Sequence, residues 1–179
     1  MITRIVLCLR HRGRASNLKT VSFKNGFNTI IGPNGSGKST ILKAIFNCPD
    51  CVREDKPKTV YRYYNAETMN PHRSGKPFTG IVGSIIKVRA MFSSHGETMR
   101  DVLRFFEFAP GDCLLIDEPE YGQDLAWVVK IRKGLNRVRR EGCQVIASSH
   151  HPAFWKNCHL IELKRGYLKK STQTIKKLV

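Results

Sequence analysis

The sequence predicts an α/β fold in which a mixed sheet with a parallel core is flanked by helices. Short apolar runs alternate with segments of helical periodicity, as in chains that build a parallel sheet. Residues 113–116 and 144–149 are largely apolar or small, as expected of strands that are buried on both faces. A glycine-rich loop at residues 32–40 separates a strand-like run from a helix-like run. The length of 179 residues suits one compact domain, residues 1–179.

The individual elements follow from hydrophobic periodicity and from turn residues. The predicted strands cover residues 1–10, 27–31, 59–64, 81–89, 113–116, 144–149, 160–163 and 166–168. The predicted helices cover residues 39–47, 97–106 and 125–141, the first ended by Pro49 and the last by Gly142. The face of the last helix that is predicted to pack inward carries Leu125, Val128, Arg132, Leu135 and Val138. The last two strands are predicted to form a hairpin in a basic tail, residues 160–179.

The composition favours a globular protein without a membrane segment. Apolar residues make up 41% of the chain, and no apolar run approaches the roughly 18–20 residues that cross a bilayer. The apolar part of the first ten residues is too short for a signal peptide, and Arg4 interrupts it. We therefore expect a cytoplasmic protein.

The six cysteines do not have the pattern of a disulfide framework. Three of them lie in or beside apolar strand-like runs and are predicted to pack as small hydrophobic residues: Cys8, Cys113 and Cys143. Cys48 and Cys51 form a lone Cys-x-x-Cys, and Cys158 with His159 could complete a zinc set. Zinc sites of this kind usually have two tight pairs of ligands, so we favour structural cysteines.

The formal net charge of +17 indicates a polyanionic partner. One basic cluster lies on the predicted helix 125–141, at Lys130, Arg132, Lys133, Arg137, Arg139 and Arg140. The other lies in the tail, at Lys164, Arg165, Lys169, Lys170, Lys176 and Lys177. A solvated surface is the alternative interpretation. We expect nucleic acid, bound without sequence specificity, or an acidic protein such as a nuclease partner.

The glycine-rich loop has the spacing Gly-x-x-x-x-Gly-Lys-Ser, from Gly32 to Ser39. Closely spaced glycines let the backbone wrap a polyphosphate with its N–H groups pointing inward. The helix that follows favours an anion at its N-terminus. Lys38 can reach the β- and γ-phosphates of ATP, and the Ser39 hydroxyl can bind Mg²⁺. The predicted nucleotide-binding residues of this loop are Asn34, Gly35, Ser36, Gly37, Lys38, Ser39 and Thr40.

A second motif follows the apolar run at residues 113–116, where Asp117 and Glu118 stand side by side. A buried strand would hold Asp117 beside the phosphate loop, where it can bind Mg²⁺ together with Ser39. Glu118 can then orient or deprotonate the water that attacks the γ-phosphate. The two motifs predict hydrolysis of ATP with Mg²⁺, and Lys38 and Glu118 are the candidate catalytic residues.

Pro119 and Glu120 follow the acidic pair. The resulting sequence Asp-Glu-Pro-Glu resembles the corresponding motif of the ABC-type ATPase superfamily. Its remaining motifs have counterparts in chain order: residues 93–97 are similar to the signature, residues 121–124 to the D-loop, and residues 149–152 to the switch-histidine motif. The sequence of residues 21–40 is typical of the SMC-like and RecF-like branch, whose members are not transporters.

The resemblance implies a homodimer in which two protomers meet head to tail and enclose two ATP molecules. Ser94 and Gly96, at the start of the helix 97–106, would face the γ-phosphate bound by the partner. Asp124 would belong to the same composite nucleotide site. His150 would be the switch histidine that contacts the γ-phosphate, and it is therefore a third candidate catalytic residue.

Members of the superfamily usually carry a glutamine that binds Mg²⁺ and couples to the partner. This chain has no such glutamine between the phosphate loop and the signature. The glutamines of this chain are at positions 123, 144 and 173. The candidate replacement segment is residues 63–67, and Asn65, Glu67 or Asn70 could substitute.

The segment between the phosphate loop and the signature is short, with about fifty residues between Thr40 and Ser93. Long coiled coils are excluded, and only a minimal helical subdomain fits. Three arginines after the first strand, Arg10, Arg12 and Arg14, could contact the base or a phosphate of the nucleotide. A solvated basic turn is an equally good interpretation.

Three functions remain open. The first is an ATP-hydrolysing dimer that drives or gates a DNA-related process, of the DNA-repair or phage-defence type, through nucleic acid or a nuclease partner. The second is the ATP-binding subunit of a membrane transporter. The third is a nucleotide-sensing dimerisation module with little turnover. The absent glutamine and the short segment argue against the transporter, and Glu118 argues against an inactive module.

Overall fold

The computed structural model describes residues 1–67 and 108–177. The strands in these ranges are β1 (Ile2–Val6), β2 (Thr20–Ser22), β3 (Phe27–Ile31), β4 (Val52–Asp55), β5 (Tyr61–Asn65), β6 (Cys113–Asp117), β7 (Gln144–Ser148) and β8 (His159–Glu162). The helices are α1 (Leu9–Arg12), α2 (Lys38–Asn47), α3 (Leu125–Arg140) and α4 (Tyr167–Lys176). A 3-10 turn covers Pro152–Phe154. The strand predicted at 81–89 and the helix predicted at 97–106 lie outside the described residues.

The larger sheet has five parallel strands in the order β5-β6-β7-β3-β8. Because all five strands run the same way, their carboxyl ends meet at one edge. The last residues of three neighbouring strands are in register there, since Asn65 pairs with Asp117 and Asp117 pairs with Ser148. Parallel α/β sheets bind ligands outside this edge. The predicted α/β class with a parallel core is confirmed.

The smaller sheet has three antiparallel strands in the order β2-β1-β4. Of these three strands the sequence predicts β1 alone, as a member of one mixed sheet. In the described part of the chain, β1 instead belongs to this separate antiparallel sheet. The core lies on both faces of the parallel sheet. Side chains of β6 alternate between the two faces, with Leu115 packed in a cluster that includes α2 and β1, and Leu114 in a cluster that includes α3.

Several predicted elements are found within a few residues of their expected bounds, among them β3, α2, β6, α3 and β7. The first strand is shorter than predicted, because β1 ends at Val6 and the chain turns into α1 with Cys8 as its N-cap. The sequence does not predict β2 or β4. All four residues of β4 are exposed, so no alternation of apolar and polar residues marks it.

The hairpin predicted at residues 160–168 is wrong. β8 pairs in parallel with β3, and Tyr167–Lys176 forms α4 after Gly166, whose φ of +78° suits glycine. Residues 167, 170, 171, 174 and 175 line one cavity, and this spacing is that of a helix face. The helical period was therefore present in the tail, but the short apolar runs before and after Gly166 suggested paired strands.

Helix α3 buries Val128, Ile131, Arg132, Leu135 and Val138. Leu125, predicted to be buried, is 67% exposed at the first turn of the helix. Arg132 is 8% exposed, and its guanidinium carbon lies 3.7 Å from the centroid of the Phe27 ring. Arg132 therefore does not belong to the basic surface cluster in which the sequence placed it.

No helix in the described residues is long and apolar enough to cross a membrane.

Candidate functional site

The phosphate loop joins β3 to α2, and two glycines determine its backbone shape. Gly35 and Gly37 have φ angles of +74° and +95°, a left-handed conformation that glycine adopts at least cost. Gly37 is also the N-cap of α2, and a Cβ added there would overlap the carbonyl oxygen of Arg14. The Ser16 hydroxyl donates to the carbonyl oxygen of Ser36 at 3.0 Å. The loop is therefore packed against the chain segment that precedes β2.

A cavity of about 560 Å³ lies over the loop, which is within the range of small-molecule sites, roughly 300–1,000 Å³. Its lining residues are Arg14, Asn34, Gly35, Gly37, Lys38, Ser39, Thr40 and Glu118. Of the three arginines after the first strand, Arg14 is among these lining residues. The Arg12 side chain instead donates to the carbonyl oxygen of Leu7 at 2.8 Å.

Two cations, Arg14 and Lys38, line this cavity. Lys38 is the buried one, with 5% of its surface exposed, whereas Arg14 is exposed. Its Nζ donates to the carbonyl oxygens of Gly32 and Pro33, at 3.2 Å each. Burial lowers the pKa of Lys38, while the carboxylates of Glu118 and Asp117 oppose that effect. An ammonium group that is already largely desolvated and held in place pays little further ordering cost when it meets phosphate oxygens.

Asp117 is fully buried and accepts hydrogen bonds from four side chains. Its Oδ1 accepts from Ser39 at 3.0 Å and from Ser148. Its Oδ2 accepts from Asn65 at 2.9 Å and from Tyr63 at 3.1 Å. Hydroxyl and carboxylate oxygens are the ligands that Mg²⁺ prefers. Ser39 Oγ and Asp117 Oδ1 therefore fit a magnesium site at the carboxyl end of β6.

Of the three candidate replacement residues, Asn65 is the one that the described structure brings to Asp117. It ends β5 and is 9% exposed. Glu67 is exposed, and Asn70 lies outside the described residues. Tyr63 also contacts Asp117, and burial followed by the Asp117 charge raises the pKa of Tyr63, so its hydroxyl stays a donor. Tyr63 lies in the candidate segment, but no sequence pattern singled it out.

Glu118 has a φ of +49°, a left-handed conformation that is rare for residues other than glycine. Its backbone N–H donates to the carbonyl oxygen of Ser148 at 3.1 Å, which holds the turn after β6 against the end of β7. The side chain lines the cavity over the phosphate loop. Burial, and next the charge of Asp117, raise the pKa of Glu118 above its ordinary value, and Lys38 opposes this.

His150 follows β7 and lies opposite Glu118. Its Nε2 is 3.8 Å from Glu118 Oε1, and its Nδ1 is 3.3 Å from the Tyr167 hydroxyl. Burial, and next the charge of Lys38, lower the pKa of His150 below 6.5, so the ring is neutral at neutral pH. In the tautomer whose Nδ1 accepts from the Tyr167 hydroxyl, the ring carries its proton on Nε2, on the side of Glu118.

Glu120 joins the motif after β6 to the segment after β7. Its Oε1 accepts from the His150 backbone N–H at 2.6 Å and from the Ser149 hydroxyl at 2.9 Å. The sequence placed Glu120 in a motif but gave it no role, because its partners follow another strand. His151 instead caps the 3-10 turn, because its Nδ1 accepts a hydrogen bond from the Ala153 N–H at 3.1 Å.

Four predicted nucleotide-binding residues are not among the residues that line this cavity: Ser36, Ser94, Gly96 and Asp124. Ser36 is buried within the loop. Ser94 and Gly96 lie outside the described residues. Asp124 is the N-cap of α3, and its Oδ1 accepts from the Trp127 N–H at 2.8 Å. Its place in a composite site between two protomers stays a prediction.

The chain shares the fold of ABC-type P-loop ATPases. The shared features are the phosphate loop between β3 and α2, the buried Asp117 at the end of β6, and the parallel sheet. A family model described as AAA domain, AAA_23, matches residues 12–85, which include the phosphate loop.

The curated relatives are named as ATP-binding proteins of zinc import. The zinc import ATP-binding protein ZnuC of Vibrio cholerae is 26% identical over 158 residues, which cover 75% of this chain and 60% of that protein. ZnuC 2 of Aliivibrio fischeri is 30% identical over 150 residues, which cover 68% of this chain and 60% of that protein. The chain thus spans about 60% of the length of these two relatives.

Solved structures show the same fold. A dimeric post-hydrolysis state of an ATP-binding cassette bound to ADP and Pi has a TM-score of 0.55 at 20% identity, covering 82% of this chain and 85% of that chain. A putative ABC transporter ATP-binding protein from Pyrococcus furiosus has a TM-score of 0.57 at 19% identity, covering 80% and 88%.

Proposed function

We propose that the chain binds ATP with Mg²⁺ and hydrolyses it in a dimer. One observation carries this proposal: a single edge of the parallel sheet brings Glu118 and His150 to within 3.8 Å of each other, next to the cavity that Lys38 lines. These residues come from three separate parts of the chain. A phosphate-binding loop alone would not require a carboxylate and a neutral imidazole at this place.

The side chains divide the chemistry of hydrolysis among them. Lys38 and the loop would bind the phosphates. Ser39 and Asp117 would hold a magnesium ion, which would supply charge neutralisation at the phosphate oxygens. Glu118 accepts a proton from the attacking water, and its raised pKa makes it a stronger base than an exposed glutamate. His150 donates from Nε2 to the γ-phosphate.

Dimerisation completes the site in this proposal. Ser94 and Gly96 of the partner would supply donors to the γ-phosphate, at the start of the helix predicted for residues 97–106. The dimeric ATP-binding cassette bound to ADP and Pi supports this arrangement for the fold.

The process that hydrolysis drives is better supported as transport than as DNA metabolism. The relatives are named as zinc import ATP-binding proteins. One argument against transport was the absent glutamine, and Asn65 now reaches Asp117 from the candidate segment. We therefore propose the ATP-binding subunit of a transporter, with a separate membrane protein as its partner. The net charge of +17 favours a second candidate, an ATPase that acts on DNA.

Release of phosphate from ATP by the purified chain tests the ATPase. Lys38→Ala should abolish ATP binding and turnover, because the cavity loses its buried cation. Lys43→Ala is the matched control, since Lys43 is an exposed residue on the same helix. Undiminished ATP affinity in Lys38→Ala would remove the phosphate-loop assignment.

The Glu118→Gln chain, held in its ATP-bound state, separates the two candidate processes. In detergent-solubilised membranes it should retain an integral membrane protein, and it should do so with ATP and Mg²⁺ but not without them. On duplex DNA, a DNA-acting ATPase would show log affinity falling linearly with log salt concentration. A steep DNA salt dependence without a membrane partner would favour the second candidate.

A further inference from the structure

Four potential metal ligands from two distant parts of the chain converge near the end of α2. They form what we call the cysteine–histidine cluster: Cys8, His11, Cys48 and Cys51. All four ligand atoms lie within 4.8 Å of one another. Nδ1 of His11 is 3.1 Å from Sγ of Cys8 and 3.5 Å from Sγ of Cys51. We propose that the cysteine–histidine cluster binds a structural Zn²⁺ ion.

The dimensions of the cluster are those of a tetrahedral zinc site. Zn–S bonds of about 2.3 Å and Zn–N bonds of about 2.0 Å place neighbouring ligand atoms about 3.5–3.8 Å apart. The separations in the cluster are at most 4.8 Å, so they differ from these values by no more than about 1.3 Å, which small side-chain rotations can supply. Three sulfur ligands and one imidazole select zinc over the hard cations Mg²⁺ and Ca²⁺. Four protein ligands close the site, as in structural rather than catalytic zinc centres.

The spacing is that of two tight pairs. Cys48 and Cys51 form Cys-x-x-Cys, and Cys8 and His11 form Cys-x-x-His. The sequence argument against zinc was the lack of a second pair, and it considered Cys158 as a partner. Cys158 instead lies at Phe154, where its Sγ donates to the carbonyl oxygen at 3.2 Å. The expectation that Cys8 packs only as a small hydrophobic residue is corrected by its contacts in the cluster.

The environment of the sulfurs suits a bound cation. The three sulfur ligands are in the reduced, unbridged form, since Cys8, Cys48 and Cys51 are free cysteines. The Cys8 backbone N–H donates to Sγ of Cys51 at 3.3 Å, so this sulfur already accepts a hydrogen bond within the cluster. Cys48 and Cys51 are 7% and 5% exposed. Zn²⁺ would displace the thiol protons to solvent and bind the thiolates, so its affinity rises with pH.

The site would join α1 to the far end of α2. Helix α1 has four residues, none of them buried, and a helix so short is not stable by itself. Cys8 is the N-cap of α1 and His11 lies within it, whereas Cys48 is the C-cap of α2. At the other end of α2, Gly37 lies against the carbonyl oxygen of Arg14.

Zinc would thus hold the segment after β1 against α2 at one end, while the phosphate loop contacts that segment at the other. None of the four ligands is among the residues that line the cavity over the phosphate loop. The proposal is therefore independent of ATP hydrolysis, and metal content can be measured in a chain that does not turn over ATP.

The test is the zinc content of the full chain, produced without a histidine tag and dialysed against a weak chelator. We expect about one zinc ion per chain in the wild type. Replacing a neighbour of a metal ligand already weakens affinity about 10–100-fold, so the double variant Cys48→Ser/Cys51→Ser should fall by more than that. Cys143→Ser and Cys158→Ser are the matched controls, buried and half-buried cysteines outside the cluster, and should retain zinc.

A second measurement on the wild-type chain keeps the proposal testable if the double variant does not fold. Co²⁺ added to the metal-stripped chain should give the intense visible bands and the thiolate charge-transfer band of tetrahedral cobalt, and Zn²⁺ should displace them. Zinc should also raise the melting temperature of the stripped chain. A wild-type chain that neither retains nor takes up zinc would overturn the proposal, as would equal loss of zinc in the Cys143→Ser control.

Discussion

Asn65 Nδ2 donates a hydrogen bond of 2.9 Å to Asp117 Oδ2, the oxygen that Ser39 does not contact. The amide therefore fixes the carboxylate so that its other oxygen, Oδ1, points at the Ser39 hydroxyl. In this way the end of β5 sets the orientation of a magnesium ligand at the end of β6.

Asn65→Ala should lower Mg²⁺-dependent ATP hydrolysis about 10–100-fold, because residues that orient a metal ligand typically contribute that much. The loss should appear mainly as weaker Mg²⁺ dependence, measured by titrating the ion at saturating ATP. Asn65→Gln should restore part of the activity, since it keeps the amide donor. Asn136→Ala on α3 is the control, and unchanged Mg²⁺ dependence in Asn65→Ala would contradict the positioning role.

Glu118→Gln should reduce turnover about 10²–10⁴-fold, the usual contribution of a general base. ATP binding should survive, because the amide still fits the cavity, and so the ATP-bound dimer should accumulate on a sizing column with ATP and Mg²⁺. Glu141→Gln, at an exposed ion pair with Arg137, is the control. A monomer at saturating ATP would count against a dimer closed around the nucleotide.

Glu120→Gln should change how stability depends on pH. Burial raises the pKa of Glu120 above 4.5 in the folded chain, so the folded state binds more protons than the unfolded state in the window above pH 4.5. Stability of the wild type therefore falls as pH rises through that window. Glutamine keeps an acceptor for His150 but has no proton to lose, so its stability relative to the wild type should increase with pH.

Urea unfolding of both chains between about pH 4 and about pH 8 measures this difference. Glu141→Gln serves as the exposed control. A stability difference that stays constant across the range would show that Glu120 does not titrate as its burial requires.

Arg132→Ala should lower the free energy of unfolding by about 2–4 kcal/mol. The guanidinium lies on the Phe27 ring and donates to the carbonyl oxygen of Lys156 at 2.8 Å, so alanine removes both contacts and leaves a cavity. Lys133→Ala, next to it on the exposed face, should change stability by less than about 0.5 kcal/mol. Equal effects in urea unfolding would mean that Arg132 is not a core residue.

The phosphate loop and the acidic pair after β6 were predictable because their geometry is local. The order strand, glycine loop and helix fixes where Lys38 points, and an apolar strand followed by Asp117 and Glu118 fixes the second motif. Ser148 and Tyr167 were not predictable, since each reaches the site only through the pairing of distant elements. The roles of Ser94 and Gly96 stay predictions.

Two errors share one cause, which is that short segments carry weak periodicity. The stretch after β1 was predicted to continue as a strand to residue 10, so the helical turn that brings His11 to Cys8 was not foreseen. The tail after Gly166 was divided into strands because Tyr167 and Leu168 are apolar neighbours, although residues 167–176 repeat with a helical period.

The left-handed backbone at Glu118 has a consequence for selection. A residue held in this region costs of order 1–3 kcal/mol of folding stability, and glycine would remove most of that cost. Glu118→Gly should therefore melt at a higher temperature than the wild type and be catalytically dead. A screen for heat tolerance alone would therefore favour replacement of Glu118, and the variants that it selects at this position would be inactive.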